Sequence, residues 1–422
     1  MIDGGSQVRA MPERPRAARS LILATVFIDF LGIGLAYPVI PRLVQELMGS
    51  GIGEASVIYA LLLSVYAITQ FLCAPVVGGL SDRYGRRPVI LGALFGLAVD
   101  YVLLSVAPTV WWLVLGRVAA GIFGATYTSA NAYVADITPP ERRAASFGVL
   151  GVTVGLGFIA GPALGGLLGA IDLRLPFMTA AAITLLNLTL GILLLPESLA
   201  PEHRRPLRFS RMNPVGAIRA VARFDVVLRL LPLFLTAQLV QQAVQALWVP
   251  YTTYRFGWST AEVGVSFTTF AVGLILTQAG AVRPVVTRLG ERRTLSVALV
   301  VMVAGMVIMG VAPTGAVMYA GILPYCAGLG LLGPAVQSSM SRALPRDEQG
   351  LLMGTITSLI APTAIVAPPI ANGIFALFIR PDAGLLVPGA PFFVASVLAL
   401  LSFAYAVSRS ESTERSSPSR LA

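Results

Sequence analysis

The chain has 422 residues, of which 56% are hydrophobic and 12% are charged, and its mean hydropathy is +0.80. Soluble domains carry charges on about a quarter of their residues. The composition therefore excludes an ordinary soluble globular protein and predicts a polytopic membrane protein. The formal net charge is +10 and all 30 basic residues are arginine; in a soluble chain this balance would suggest a nucleic-acid partner.

Apolar runs of about twenty residues, the length that crosses a bilayer, occur twelve times. The predicted spans are 20–42, 57–80, 88–107, 110–134, 145–169, 174–196, 227–253, 260–284, 293–312, 314–340, 350–379 and 389–408. We therefore predict an all-α membrane protein of twelve transmembrane helices in two pseudo-symmetric bundles. The expected domains are an N-terminal six-helix bundle (1–196), a cytoplasmic connector (197–226), and a C-terminal six-helix bundle with a short cytoplasmic tail (227–422).

The arginines are distributed unevenly over these predicted spans and loops. Four arginines are assigned to loops on the outer side, Arg42, Arg174, Arg255 and Arg380, and Arg117 is assigned to a span. The remaining 25 of the 30 arginines lie on the inner side or in the tails. The positive-inside rule then predicts that both termini are cytoplasmic. Because this asymmetry explains the net charge, no nucleic-acid partner is predicted.

Neither cysteine chemistry nor a cleaved leader is indicated. Cys73 and Cys326 fall within apolar runs, so neither a disulfide framework nor a metal site is expected. The first apolar run follows several arginines, is long enough to span, and has no cleavage signature. We expect the first helix to serve as its own insertion signal.

Three ionisable residues fall deep in the predicted spans. Of the 20 acidic residues, only Asp29 in the first span and Asp100 in the third lie deep, and Arg117 in the fourth is the only deep base. Each such charge costs roughly 2.5–3.5 kcal/mol unless it is paired or useful. Asp100 and Arg117 lie on antiparallel neighbours and can meet. Two acids and one base leave a surplus negative charge, which predicts a carboxylate that carries protons. The simpler alternative is a salt bridge between Asp100 and Arg117 that only positions helices.

A short charged segment, 78–88, separates the second and third spans. It carries three glycines that permit a tight path, Gly78, Gly79 and Gly85. It also carries four charges that cannot lie in hydrocarbon: Asp82, Arg83, Arg86 and Arg87. A segment that only sets the orientation of the helices in the membrane would need only positive charge, yet an acid, Asp82, stands among the arginines. The segment is therefore expected to have a further role. The segment 82–87 recurs in degraded form at 287–292, which indicates an internal duplication. Transporters built from such repeats bind substrate between the halves and rock one half against the other.

The fifth span carries small residues at four-residue spacing around a proline. They are Gly157, Gly161, Pro162, Gly165 and Gly166. Small residues let another helix pack closely, and a proline bends a helix because its backbone nitrogen donates no hydrogen bond. The pattern predicts a tight, bent seam, and a generic packing motif is the alternative.

The seventh span carries amides and aromatic residues in place of charges. Gln238, Gln241 and Gln245 share one helical face, and Trp248 and Tyr251 follow. Such a wall suits a medium-sized, partly polar and partly aromatic substrate. Hydrogen bonding between helices is an equally good explanation for the amides. Further polar candidates are Gln278, Gln337, Ser338 and Asn372.

Together these stretches resemble the tetracycline/proton antiporters, a drug-exporting branch of the major facilitator superfamily. The likeness covers nearly the whole chain. It rests on the G-xxx-D-R-x-G-R-R pattern of segment 78–88, on the glycine-rich fifth span, which resembles the antiporter signature of that branch, and on 28–34, 100–104, 115–117 and 255–258.

The resemblance implies an exporter of a small amphipathic drug in the bacterial inner membrane that takes protons in exchange. Asp29, Asp100 and Arg117 would be functional membrane charges, and Asp82 with the nearby arginines would lock a cytoplasmic gate. Asp82 would contact the start of the eleventh helix near Gln349 and Gly350. Asp136 can pair with Arg86 or Arg87 in the same lock.

One departure from the family is visible, because tetracycline pumps carry a further acid in the ninth helix and 297–310 contains no ionisable residue. This narrows proton coupling to the first half of the chain. Alternative functions are a proton-coupled metabolite transporter and a non-transporting membrane sensor. No catalytic constellation is present in the sequence, so an enzyme is not expected. The predicted partners are a small-molecule substrate, protons and the lipid bilayer, for a monomer with no cofactor beyond the coupling proton.

Overall fold

The computed structural model describes residues 13–124, 126–204, 225–342, 349–382 and 384–416. In this part of the chain, eleven helical spans are long and apolar enough to cross a membrane, and two of them, Val110–Ile137 and Thr260–Gly290, each combine consecutive helical segments. A further apolar helix, Ala390–Tyr405, is shorter. The α-helices are α1 Glu13–Ala36, α2 Ile40–Met48, α3 Ile52–Tyr84, α4 Arg86–Val106, α5 Val110–Phe123, α6 Thr126–Ile137, α7 Arg143–Ile171, α8 Leu175–Leu194, α9 Asp225–Phe256, α10 Thr260–Leu276, α11 Val282–Val311, α12 Gly315–Arg342, α13 Gln349–Phe378 and α14 Ala390–Ser416. Most of the predicted connector lies outside the described residues.

The first predicted span, 20–42, is wrong at its end. Helix α1 stops at Ala36, and a separate short helix, α2, begins at Ile40. Pro38 disfavours helical backbone in the residue before it and donates no backbone hydrogen bond, which favours a helix end at this point. The result is a short helix just before the start of α3, at the end of α3 opposite to Gly85.

The fourth predicted span, 110–134, is interrupted. Gly124 is not helical and separates α5 from α6. The Gln70 side chain of α3 donates a hydrogen bond of 3.0 Å to the Gly124 carbonyl. A side chain from another helix thus satisfies a backbone group at the break, as a buried chain requires.

The predicted charged loop is shorter than expected, because α3 continues to Tyr84 and α4 starts at Arg86. The turn is the single residue Gly85, whose φ of +108° favours glycine. The matching residue of the internal repeat, Gly290, also has a positive φ, +72°, at the bend inside α11. The two halves of the chain therefore make this reversal in the same way.

Each half of the chain has its own buried apolar core. Two clusters of buried side chains belong to residues 18–195, and one belongs to residues 227–399. The halves contact each other chiefly along two helix pairs, α3 with α13 and α7 with α10, and to a smaller extent where α3 meets α9. This is the arrangement of two bundles that the sequence predicts.

Polar contacts also join the two halves. The Ser64 hydroxyl donates to the Ile365 carbonyl at 2.7 Å, and the Thr268 hydroxyl donates to the Ile159 carbonyl at 3.1 Å. At the face opposite the Gly85 turn, the Arg42 guanidinium of α2 donates to the Trp258 carbonyl. A backbone carbonyl is thus the acceptor in each of these three hydrogen bonds.

Helix α7 packs closely on both of its neighbours. A Cβ at Gly161 would lie 2.6 Å from the Gly34 Cα, and one at Gly157 would lie 2.8 Å from the Phe30 Cβ, both on α1. On its other side, a Cβ at Gly166 would lie 3.0 Å from the Gly264 Cα of α10. Gly165 faces Leu35 of α1. The adjacent glycines Gly165 and Gly166 therefore pack against different helices, α1 of the same half and α10 of the other half.

Prediction for the seam: Gly161→Ala should destabilise the protein by about 1–3 kcal/mol, because the added methyl group meets backbone that cannot move aside. Gly151→Ala on the same helix is the matched control, since a Cβ there has nothing within 4 Å. Thermal unfolding in detergent measures both. Equal midpoints for the two variants would contradict close packing at the seam.

Candidate functional site

Asp29 is a buried carboxylate in the middle of α1. Its side chain is 8% exposed, and its Oδ1 has no hydrogen-bond partner among the described residues. A Cβ at Gly32, one turn further along α1, would lie 2.6 Å from the Tyr101 hydroxyl oxygen. Glycine at 32 therefore lets Tyr101 approach the helix that carries Asp29.

Asp100 and Arg117 form the contact that the sequence predicts. Arg117 Nη2 pairs with Asp100 Oδ2, and the Asp100 side chain is 1% exposed. A Cβ at Gly116 would lie 2.5 Å from Asp100 Oδ1, so glycine there gives the carboxylate room. The Arg117 guanidinium faces the Tyr66 ring, 6.0 Å from its centre. All three charged side chains are thus largely buried, and only Asp100 and Arg117 have a counter-charge among the described residues.

Tyr66 and Gln70 are functional candidates that sequence reasoning missed. Gln70 Nε2 donates to the Tyr66 hydroxyl oxygen at 2.9 Å as well as to the Gly124 carbonyl. They link the surroundings of Arg117 to the break between α5 and α6. The available signal was a tyrosine and a glutamine at i and i+4 of one predicted span.

The predicted gate residues meet at the Gly85 turn. Arg86 Nη1 lies 2.6 Å from Asp82 Oδ1, and Arg86 Nε lies 3.2 Å from Asp136 Oδ2. The same Nη1 donates to the Ser81 hydroxyl at 3.1 Å. Asp136 therefore pairs with Arg86, one of the two partners that the sequence allowed.

The other predicted gate residues have separate surroundings. Arg83 is exposed and lies over the Tyr84 ring, 5.1 Å from its centre. Arg87 donates to the Ile192 carbonyl at 2.6 Å, and Gly78 faces open space. The predicted contact of Asp82 with the start of the eleventh helix, near Gln349 and Gly350, falls where the structure does not describe the surroundings of these two residues.

A cavity of about 430 Å³ lies within the second half, between α9, α10, α12 and α13. Four amide side chains line it, Gln238, Gln241, Gln278 and Gln337, together with Phe234, Ala237, Leu274, Val282, Leu329, Gly333, Pro334, Val336 and Ile360. None of these lining residues is charged. The cavity is therefore neutral, and its polar groups are side chains that both donate and accept hydrogen bonds.

Three residues predicted to bind substrate lie elsewhere. Gln245 does not line this cavity. Trp248 and Tyr251 are buried in the core of the second half, where Trp248 Nε1 donates to the Ser266 hydroxyl at 2.8 Å and the Tyr251 hydroxyl donates to the Met309 carbonyl at 2.7 Å. They lie further along α9, where that helix packs directly on its neighbours. Among the lesser candidates, Asn372 is also buried and donates to the Pro368 carbonyl of its own helix.

The family model of the Major Facilitator Superfamily matches residues 22–250 and 230–421. The chain belongs to this superfamily. It is 41% identical over 356 residues to the class C tetracycline resistance protein of Escherichia coli, which covers 84% of this chain and 89% of the relative. Identity to the class G protein of Vibrio anguillarum is 38% over 353 residues, covering 84% and 89%. The resemblance drawn from the sequence motifs is confirmed.

Solved structures give the same fold. The human organic anion transporter MFSD10 matches with a TM-score of 0.68 and 25% identity, covering 94% of this chain and all of that one. A bacterial homologue of the lysosomal transporter Spinster, in an inward-facing and unoccupied conformation, matches with a TM-score of 0.75 and 14% identity, covering 97% and 100%. The protein is thus a multi-pass membrane protein with the major facilitator fold, and the predicted fold class is confirmed.

Prediction for the buried pair: Asp100→Asn should destabilise the protein by about 3–5 kcal/mol, because it leaves Arg117 buried without its counter-charge. The double variant Asp100→Asn with Arg117→Gln removes both charges and should be more stable than Asp100→Asn alone. Thermal unfolding in detergent compares them. A double variant that is no more stable than Asp100→Asn would show that the two charges do not depend on each other.

Proposed function

We propose that the protein exports a small amphipathic drug of the tetracycline class in exchange for protons, by alternating access. The observation that carries this proposal is Asp29, a carboxylate buried inside the first half with no ion pair among the described residues. An unpaired charge at such a depth is costly and marks a functional group. The relatives named as tetracycline resistance proteins, which match most of the chain, support the choice of substrate.

The three membrane charges then have different tasks. Asp29 has no ion-pair partner among the described residues, so we assign it the coupling role. Asp100 and Arg117 neutralise each other and hold α4 against α5, and Arg117 places a positive charge at the Tyr66 ring. The protein needs no cofactor beyond the proton and performs no covalent chemistry.

Drug binding belongs to the second half in this proposal. The neutral cavity offers amides for the oxygen-rich edge of a tetracycline and apolar side chains for its ring system. Binding and proton exchange would then occupy different halves, so the rocking of one half against the other links them.

The cluster of Asp82, Arg86 and Asp136 is the proposed gate at the cytoplasmic face. We place this face in the cytoplasm of a bacterial cell, with both termini on the same side, because it carries most of the arginines. A monomer is sufficient for this mechanism, since each half supplies one part of it.

Prediction for coupling: Asp29→Asn should abolish drug/proton exchange while the protein still folds, because asparagine keeps the shape and cannot take up a proton. Asp382→Asn, in an exposed loop, is the control. The measurement is proton movement in proteoliposomes with an imposed pH gradient and a panel of compounds that includes tetracyclines. Undiminished gradient-driven exchange by Asp29→Asn would remove this residue from the mechanism, and no exchange by the unmodified protein with any drug would refute drug export.

Prediction for the cavity: Gln241→Leu should weaken tetracycline binding by about two- to tenfold, the equivalent of one hydrogen bond of roughly 0.5–1.5 kcal/mol. Gln242→Leu is the matched control on the same helix, because Gln242 does not line the cavity. Equilibrium binding to purified protein measures both. Equal affinities for the two variants would place the drug elsewhere.

A further inference from the structure

The Gly85 turn is in contact with a residue from a distant part of the chain. Glu197 lies just after the end of α8, at the start of the connector to the second half. Its Oε1 accepts a hydrogen bond of 2.8 Å from the Arg86 backbone N–H, and its Oε2 accepts one of 3.2 Å from the Arg87 N–H. One carboxylate thus binds the first two amides of α4.

These contacts complete the N-terminus of α4. The first amides of a helix have no partner within the helix, and the third residue of α4, Pro88, has no amide hydrogen to satisfy. Glu197 therefore receives both N–H groups that the first three residues offer. Its negative charge also lies at the helix end where negative charge is favourable.

The turn has the form that Glu197 requires. A Cβ at Gly85 would lie 2.6 Å from the Glu197 carboxyl carbon, so any other residue would displace the carboxylate. The positive φ of Gly85 gives a second, independent reason for glycine. The glycine that the sequence motif supplies is thus explained partly by a residue more than a hundred positions away.

The connector also reaches the acid of the proposed gate. The Ser198 hydroxyl donates to Asp136 Oδ2 at 3.1 Å, and this same oxygen accepts the bond from Arg86 Nε. Glu197 Oε1 additionally accepts from the Ser198 and Leu199 backbone N–H groups, each at 3.0 Å. The first residues of the connector therefore hold both the backbone of Arg86 and the side-chain partner of its guanidinium.

We propose that Glu197 is a positioning residue for the gate. It fixes the backbone of Arg86 where the guanidinium reaches Asp82 and Asp136 together, and it attaches the gate to the segment that follows α8. This role rests on the proposed transport function, whereas the contact with α4 does not.

The contact itself is tested by amide hydrogen exchange of the peptide that covers 85–90. Glu197→Gln keeps the size of the side chain, but its NH₂ group replaces one acceptor oxygen and the charge is lost. We expect the Arg86 and Arg87 amides to exchange about fivefold faster, as for a helix cap of ~1 kcal/mol. Glu202→Gln, an exposed acid of the same connector, should change nothing. Equal exchange in Glu197→Gln and the unmodified protein would overturn the proposal.

The link to the gate is tested by transport. Glu197→Gln should slow drug/proton exchange in proteoliposomes about three- to tenfold and leave the drug Kd within about twofold, because neither Glu197 nor its partners line the cavity. The double variant with Asp136→Asn should be no slower than the slower single variant, since both act through Arg86. Rates that multiply, or a weakened Kd, would overturn the positioning role. If the unmodified protein moves no drug, the proposed function fails, and the hydrogen-exchange result still decides whether Glu197 caps α4.

Discussion

The cost of burying charge among apolar helices governs the arrangement of the first half. An ionised side chain in this environment is stable when a counter-charge lies against it and hydrogen bonds satisfy it. Asp100 and Arg117 supply each other's counter-charge across α4 and α5, although Asp100 Oδ1 and Arg117 Nε have no hydrogen-bond partner among the described residues. Asp29 has no counter-charge within the described residues. This difference between two carboxylates separates a residue that holds helices from one that can carry a proton.

Close approach of backbones is the second constraint. In a bilayer, apolar side chains gain little by leaving lipid for another helix, so helix association relies on van der Waals packing and on interhelical hydrogen bonds. The glycines of α7 provide the first on both sides, toward α1 of its own half and α10 of the other. The Thr268 hydroxyl provides the second near Pro162. One helix therefore connects the core of the first half to the surface along which the halves meet.

The two halves share a fold and differ in chemistry. Titratable groups lie inside the first half, whereas the cavity of the second half is lined by amides and apolar residues. The two faces also differ: at one face Arg42 donates to the Trp258 carbonyl of the other half, and at the opposite face Arg86 pairs with Asp82 and Asp136 of its own half.

The sequence by itself determined the membrane class, the two sets of spans, the family, the pairing of Asp100 with Arg117 and the choice of Arg86 or Arg87 for Asp136. These follow from hydropathy over twenty residues, from the high cost of lone charges in lipid and from motifs at fixed spacing. Only the tertiary structure decided that Trp248 and Tyr251 belong to a packed core, because residues on one helical face look alike until the neighbouring helices are placed. It also decided the breaks at Gly124 and after Ala36 and the contact of Glu197 with the Gly85 turn, since a hydrogen bond between distant segments leaves no periodic trace in the chain.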